Sequence, residues 1–248
     1  MSQNIIEVKN VRKVFTKLRK KTVILDDVSF TVKKWDIFGF LWANWVGKTT
    51  LLKCIFHFHE TTSGSIKLFG KEDYYKQEVF QKIWYAPEQT FLYPFLTSGE
   101  LLDYMGKLAG VSNADIKKRG DELIKILWLE FARDRRISAY SKGMKQRLSL
   151  AASLINDPDL IFWDEPMSWL DPLGRILVKD LMRDLKKRWK TLFFNTHILS
   201  DVQEVADEFA ILHNGKIVYE DKPSNIHGSL EEFFTKTVRE IDKHVKVQ

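Results

Sequence analysis

The chain has 248 residues, of which 44% are hydrophobic and 29% charged, as in an ordinary soluble globular protein. It contains no apolar run of about 18 residues and no apolar signal peptide at its N-terminus, so we expect neither a membrane span nor secretion. The single cysteine, Cys54, excludes an internal disulfide and favours a reducing, cytoplasmic compartment. The net charge of +6 is spread along the chain, so no nucleic-acid partner is expected.

The first elements along the chain are predicted strands. Two segments rich in β-branched residues read as strands, IIEVKNVRKVF and TVILDDVSFTV. A short apolar strand, DIFGFL, leads into the segment WANWVGKTT, and KTTLLKCIF follows with helical spacing. The next segment, GSIKLFG, predicts another short strand that ends at a turn.

The middle of the chain, from about residue 97 to 154, has helical signals throughout. Beyond it, strand-like and helical segments alternate, in the order DLIFWDEP, LGRILVKDLMRDLKKR, KTLFFNTH, ILSDVQEVADE and FAILH. This alternation predicts an α/β fold with a mainly parallel sheet, into which the helical middle is inserted. The last segment, residues 229–248, predicts an amphipathic helix with Ser229 at its N-cap.

Three segments carry candidate chemistry. Gly47, Lys48 and Thr49 stand between an apolar strand and a helix, the context in which backbone N–H groups and a lysine bind phosphate. Asp164 and Glu165 end an apolar strand, where α/β sheets bind ligands, although two solvated acids in a turn would look the same. In YSKGMKQRLSLAASLI, Ser141 is either a plain helix N-cap or, together with Gly143, faces a second phosphate.

Taken together, these segments resemble the ATP-binding subunit of an ABC transporter over nearly the whole chain. WANWVGKTT resembles the Walker A loop, YSKGMKQRL the signature, LIFWDEP the Walker B strand, SWLD the D-loop and NTH the switch histidine. YAPEQ resembles the Q-loop region, whose functional position is filled by Glu88 or by Gln89. The chain departs from the pattern at Lys142, a glycine position of the signature at which exporter-type members tolerate a change.

The resemblance implies a P-loop NTPase (RecA-like) fold with a mainly parallel sheet, an antiparallel β subdomain and an inserted α-helical signature subdomain. The implied ATP-binding core comprises residues 1–88 and 156–228. The helical subdomain comprises residues 89–155, and the C-terminal helical tail residues 229–248.

The resemblance also implies ATP and Mg²⁺ as ligands and assigns roles to individual residues. Catalytic roles fall to Glu165, which would orient or deprotonate the attacking water, to His197 at the γ-phosphate, and to Glu88 or Gln89. The metal candidates are Thr49, Asp164 and again Glu88 or Gln89. The residues implied in ATP binding are Phe15 (against adenine), Trp42, Asn44, Trp45, Gly47, Lys48, Thr49, Thr50, Ser141, Gly143 and Asp171.

The function implied is that of an ATPase subunit, at the cytoplasmic face of the membrane, that powers a transporter and most resembles exporter-type subunits. Its implied partners are an integral-membrane permease and a second ATP-binding subunit, either a copy or a relative, paired head to tail. Two alternatives stay open at this point. One is a soluble ABC ATPase without a transport role, and the other is a cassette that binds nucleotide poorly because Trp42 and Trp45 stand in the phosphate loop.

The eight tryptophans are themselves a signal. By resemblance, Trp42 and Trp45 fall on Walker A glycines and Trp169 on the D-loop glycine; Trp35, Trp84, Trp128 and Trp189 also fall on glycine positions, and Trp163 stands where glycine is acceptable. Random decay would place many residue types at such positions. We therefore interpret the tryptophans as glycines encoded by UGA and translated with a table that reads this codon as tryptophan. The alternatives are a protein that is genuinely rich in tryptophan and a deliberate glycine-to-tryptophan replacement.

Overall fold

Two units make up the chain in the computed structural model, Met1–Val79 with Asn195–Gln248, and Phe80–Phe194. The structure describes residues 4–17, 20–42, 47–72, 74 and 77–245. The predicted domain boundaries stay a prediction. Among the described residues, no helix combines the length and the apolar character needed to cross a membrane.

The elements follow the predicted order closely. The strands are β1 (Asn4–Lys17), β2 (Lys20–Lys33), β3 (Ile37–Trp42), β4 (Ser63–Leu68), β5 (Ile83–Ala86), β6 (Leu160–Asp164), β7 (Thr191–Asn195), β8 (Glu208–His213) and β9 (Lys216–Asp221). The α-helices are α1 (Lys48–Ile55), α2 (Gln77–Phe80), α3 (Ser98–Leu108), α4 (Asn113–Ile126), α5 (Lys142–Ala152), α6 (Pro172–Lys187), α7 (Leu199–Val205) and α8 (Leu230–Val245). Strands β5 and β9 and the short helix α2 were not predicted from the sequence.

The first unit contains an antiparallel sheet and a group of mainly parallel strands. Strand β1 pairs with β2 and β4, antiparallel to both. Strand β3 runs parallel to β8, and β9 returns antiparallel along β8. All six residues of β3 are buried. A strand that is covered on both faces needs an apolar run without polar interruptions, and the sequence of β3 is such a run.

In the second unit, strands β5, β6 and β7 lie side by side, and helices α3, α4 and α5 belong to the same unit. Strand β5 is parallel to β6, with Tyr85 opposite Phe162 and Ala86 opposite Trp163. The parallel pairs in both units and the antiparallel sheet of β1, β2 and β4 confirm the predicted α/β fold class.

The C-terminal helix α8 packs on its own unit through its apolar stripe. Leu230 is fully buried, and the ring of Phe233 lies 4.5 Å from that of Tyr219 on β9. Asp242 also contacts His213 at the end of β8, with 2.7 Å between a carboxylate oxygen and Nε2. The predicted cap is present, since the Ser229 hydroxyl oxygen accepts a hydrogen bond from the backbone N–H of Glu232.

Helix α3 begins with a reciprocal capping box. The Thr97 hydroxyl oxygen accepts from the Glu100 backbone N–H at 3.3 Å, and the Glu100 carboxylate accepts from the Thr97 N–H at 2.8 Å. Thr97→Ala removes one acceptor and should lower the free energy of unfolding by about 1 kcal/mol, as measured by urea unfolding. Thr97→Ser keeps the oxygen and should cost much less. Equal losses in the two variants would show that the hydroxyl does not cap the helix.

Candidate functional site

The turn from strand β3 into helix α1 forms the candidate phosphate loop. Gly47 stands at the helix N-cap with φ 103°, a conformation that side chains oppose. A Cβ at Gly47 would lie 3.2 Å from Leu212 and 3.3 Å from Leu25, so the loop backbone packs tightly here. Helix α1 has no acidic residue in its first turn, and so its N-terminus suits an anion. The positive φ of Gly47 at a helix N-terminus is what a phosphate cradle requires.

Lys48 is the first residue of α1, and its side chain is covered. The residue is only 3% exposed, and its Nζ lies 4.1 Å from the ring centroid of Trp42, the last residue of β3. A cation over an indole face is held by electrostatic attraction, so the Trp42 ring would compete with any anion for this lysine. Thr49 is exposed and Thr50 half-buried on the same helix turn. Asn44 and Trp45 lie outside the described residues.

Two further predicted residues lie in the same unit. The backbone N–H of Thr196 donates to the carbonyl of Phe40 in β3, the strand that leads into the loop. The next residue, His197, is exposed. Phe15 on β1 is partly exposed, with Lys13 Nζ 4.9 Å from its ring centroid and the His59 ring edge-on at 5.5 Å. One face of Phe15 is therefore occupied by Lys13.

The second unit places the two acids as predicted, at the end of β6. Asp164 is 8% exposed and Glu165 3% exposed, and Glu165 has a positive φ of 50°. A non-glycine residue in this conformation is strained, and such strain concentrates at functional sites. The Tyr85 hydroxyl donates to the Asp164 carboxylate at 3.3 Å. Burial, followed by the negative charge of Asp164, raises the pKa of Tyr85, so it stays a hydrogen-bond donor at neutral pH.

The residues after β5 lie close to this acid. Glu88 is half-buried and adds its negative charge to the environment of Tyr85, whereas Gln89 is exposed. A buried carboxylate with one hydroxyl donor beside it suits a hard cation such as Mg²⁺. Thr49, the other predicted metal ligand, belongs to the first unit.

The signature segment starts helix α5 and contacts the D-loop backbone. The Ser141 hydroxyl oxygen caps the helix by accepting from the Met144 N–H at 3.2 Å. A Cβ at Gly143 would come within 2.9 Å of the Trp169 carbonyl oxygen, so no larger residue fits without movement. Lys142 Nζ lies 4.0 Å from the centroid of the Trp169 ring, a second contact between a motif lysine and a tryptophan.

Four hydrogen bonds around Glu165 and Asp171 were not predicted. The Gln146 side chain on α5 donates to the carbonyl oxygens of Glu165 and Pro166, at 3.2 and 3.3 Å. The Ser168 hydroxyl donates to the Glu165 carboxylate at 3.4 Å. Asp171 caps helix α6 by accepting from the Gly174 N–H at 2.7 Å, so its role at a nucleotide stays a prediction. The only sequence signal for Gln146 was its place within the signature segment.

Comparison with known proteins agrees with this geometry. Residues 25–168 match the family model described as ABC transporter. The chain is 35% identical to the ABC transporter ATP-binding protein NatA of Bacillus subtilis over 85% of this chain and 87% of that protein. The chain belongs to the ABC transporter family. This confirms the resemblance and, at the level of the family, the assignment as an ABC ATPase.

Other relatives and a solved structure extend the likeness. The chain is 35% identical to the bacitracin transport ATP-binding protein BcrA of Bacillus licheniformis, covering 83% of this chain and 67% of that one. A solved ATP-binding subunit of an ABC transporter superposes with a TM-score of 0.84 at 28% identity, over 94% of this chain and 99% of the other. It confirms the P-loop NTPase fold. The chain spans 66% and 69% of two cyanobacterial relatives, from Synechocystis and Nostoc, both named ABC transporter ATP-binding proteins.

The contact between Lys48 and Trp42 leads to a testable prediction about affinity. Replacing Trp42 and Trp45 by glycine should tighten ATP binding roughly tenfold or more, because the indole no longer holds the lysine or fills the loop. Isothermal titration with ATP and Mg²⁺ measures this directly.

The matched control is Trp189→Gly, which changes a tryptophan at the end of α6 that belongs to no nucleotide motif. It should leave ATP affinity unchanged. Ordinary ATP affinity in the unaltered sequence would contradict the prediction.

Proposed function

We propose that this chain binds and hydrolyses ATP to drive a membrane transporter of the exporter type. The observation that carries the proposal is the buried Lys48 directly after Gly47, at the N-terminus of a helix that follows a buried strand. In this role Gly47 and the first N–H groups of α1 cradle the phosphates, and Lys48 neutralises their charge. Phe15 offers its open face to the adenine.

The remaining roles fall to side chains placed at strand and helix ends. Thr49 and Asp164, with Glu88 or Gln89, would hold Mg²⁺, which offsets the charge that develops on the phosphates. Glu165 orients the attacking water, and the hydrogen bonds of Gln146 to the carbonyls of residues 165 and 166 fix its backbone. His197 would contact the γ-phosphate.

A second ATP-binding subunit completes the proposed site. Ser141 and Gly143 stand at the N-terminus of α5, where the helix dipole favours negative charge. In a head-to-tail pair, these residues face the phosphates held by the partner subunit's loop, and Asp171 lies in the adjoining D-loop. The pair is either two copies of this chain or this chain with a relative.

Export is favoured by the names of relatives. Besides the bacitracin transport protein, the chain is 32% identical to the Nod factor export ATP-binding protein I of Ralstonia nicotianae over 91% of this chain and 69% of that protein. We infer that this chain works at the cytoplasmic face of the membrane, held there by a permease.

An exposed aromatic patch in the second unit supports a permease partner. It consists of Phe91, Tyr93, Phe95, Tyr104 and Leu108, and Phe91 is 86% exposed. The Tyr93 ring lies 5.9 Å from that of Phe95 and 5.4 Å from that of Tyr104, so these three rings form one cluster. Contiguous apolar surface of this kind marks an interaction site, and its place just after Glu88 and Gln89 would couple partner movement to the site.

Hydrolysis by Glu165 is tested in a chain that carries glycine at positions 42 and 45. Glu165→Gln should lower the ATP hydrolysis rate by about 10²–10⁴-fold while ATP affinity is retained, because only the residue that handles water is changed. Glu130→Gln removes an exposed acid of the same unit and should leave the rate unchanged. A Glu165→Gln variant that hydrolyses ATP at the parent rate would exclude the assigned role.

The aromatic patch is tested by binding to native membranes. Replacing Phe91 and Phe95 by serine should abolish recovery of this chain with a protein that has several membrane spans, identified by mass spectrometry. Phe131→Ser, which alters another exposed phenylalanine of the unit, should not. Retained binding by the double variant, or capture only of proteins without membrane spans, would argue against this docking surface.

A further inference from the structure

Four tryptophans adopt a backbone conformation that tryptophan disfavours. Trp35, Trp128, Trp169 and Trp189 have φ values of 69°, 52°, 65° and 63°. They are four of the seven tryptophans that the structure describes. Only a few per cent of non-glycine residues have positive φ, and a bulky residue there is an outlier. Of the other described non-glycine residues with positive φ, four are Asn or Asp, the residue types that tolerate it.

Two of these tryptophans end helices in the manner of glycine. After α4, the Trp128 N–H donates to the Lys125 carbonyl and the Leu129 N–H to the Ile124 carbonyl. This is the Schellman pattern, in which the residue after the C-cap is left-handed and is usually glycine. Trp189 ends α6 identically, with its N–H on the Lys186 carbonyl and the Lys190 N–H on the Leu185 carbonyl.

The same chain supplies an internal reference for this motif. Helix α3 ends with the Gly110 N–H on the Lys107 carbonyl and the Val111 N–H on the Gly106 carbonyl, and Gly110 has φ 74°. The C-termini of three helices therefore share one geometry. The left-handed residue is glycine after α3 and tryptophan after α4 and α6. Geometry, rather than any property of the indole, is what these positions have in common.

Trp35 and Trp169 occupy turns that need the same conformation. Trp35 is the third residue of the turn from Lys33 to Asp36, which the Asp36 N–H closes on the Lys33 carbonyl at 3.4 Å. A positive φ at that position defines a type II turn, which selects glycine or asparagine. Trp169 lies in the D-loop, where its carbonyl packs on Gly143.

Burial does not compensate for the strain at these positions. The four residues are between 47% and 68% exposed, so their indoles leave large apolar surfaces in water. Trp163 differs, because it is 1% exposed and its ring N–H donates to the Ser153 hydroxyl at 2.8 Å. Trp163 is thus accommodated as a tryptophan, whereas the four left-handed tryptophans adopt a disfavoured backbone conformation and keep about half or more of their surface exposed.

We infer that the protein made in its native cell carries glycine at positions 35, 128, 169 and 189. Backbone conformation and exposure support glycine at all four positions, and the hydrogen bonds of the turn or helix end support it at positions 35, 128 and 189. At these four positions glycine agrees with the codon interpretation of the tryptophans, whereas the buried and hydrogen-bonded Trp163 gives that interpretation no such support. At position 169, glycine also releases Lys142 from the indole ring that it contacts.

Peptide mass spectrometry of the native protein tests this identity. Trypsin cleaves after Lys125 and Arg133, which isolates residues 126–133 with position 128 as its only tryptophan. Fragment ions of residues 148–175 read position 169 separately. The inference predicts glycine masses at both positions, and tryptophan masses would overturn it.

A second measurement tests whether these tryptophans destabilise the fold, using protein that carries tryptophan at all eight positions. Trp128→Gly and Trp189→Gly should each raise Tm by about 2–4 °C, because each relieves a left-handed indole. The matched control, Trp163→Gly, should lower Tm, because it removes a buried and hydrogen-bonded side chain. A fall in Tm for the first two variants would overturn the backbone argument. Neither measurement involves ATP, so both are independent of the proposed function.

Discussion

Sharp backbone turns at the ends of strands and helices are the constraint on which this structure depends. Gly47 begins helix α1 with φ at 103°, and a Cβ there would lie only 3.2–3.3 Å from the side chains of Leu212 and Leu25. Lys48 is the first residue of the helix, so its side chain and the first N–H groups of α1 start from the same point. The phosphate-binding capacity of the loop is therefore a property of backbone geometry first and of side chains second.

The two acids proposed to act in hydrolysis also stand at the end of a buried strand, in the second unit. Strand β6 carries Asp164 and Glu165 to its carboxyl end, where Tyr85 from the neighbouring strand donates to Asp164. Gln146 from the signature helix binds the backbone beside Glu165. A movement of the signature helix would thus act on the backbone of Glu165, the residue that we propose to orient the attacking water.

The buried strands and the position of the phosphate loop could be predicted from the sequence, because the local apolar patterns there also determine the tertiary packing. Buried strands such as β3 and β6 appear as apolar runs, and the phosphate loop follows one of them directly. Strand β9 was missed although Asn214-Gly215, a typical hairpin turn, precedes it. The contacts of Tyr85 and Gln146 could not be predicted, since they join residues 79 and 19 positions apart. The contact of the Trp42 ring with Lys48 likewise joins two different elements, β3 and α1, and no local pattern encodes it.

The central claim is that Lys48 binds the phosphates of ATP once glycine replaces the tryptophans of the loop. The most direct measurement is a crystal structure of the chain with glycine at positions 42 and 45 and Glu165→Gln, grown with ATP and Mg²⁺. The account predicts Lys48 Nζ at about 2.7–2.9 Å from a phosphate oxygen, the length of a charge-assisted hydrogen bond. ATP bound elsewhere, or a Lys48 side chain directed away from the phosphates, would contradict it.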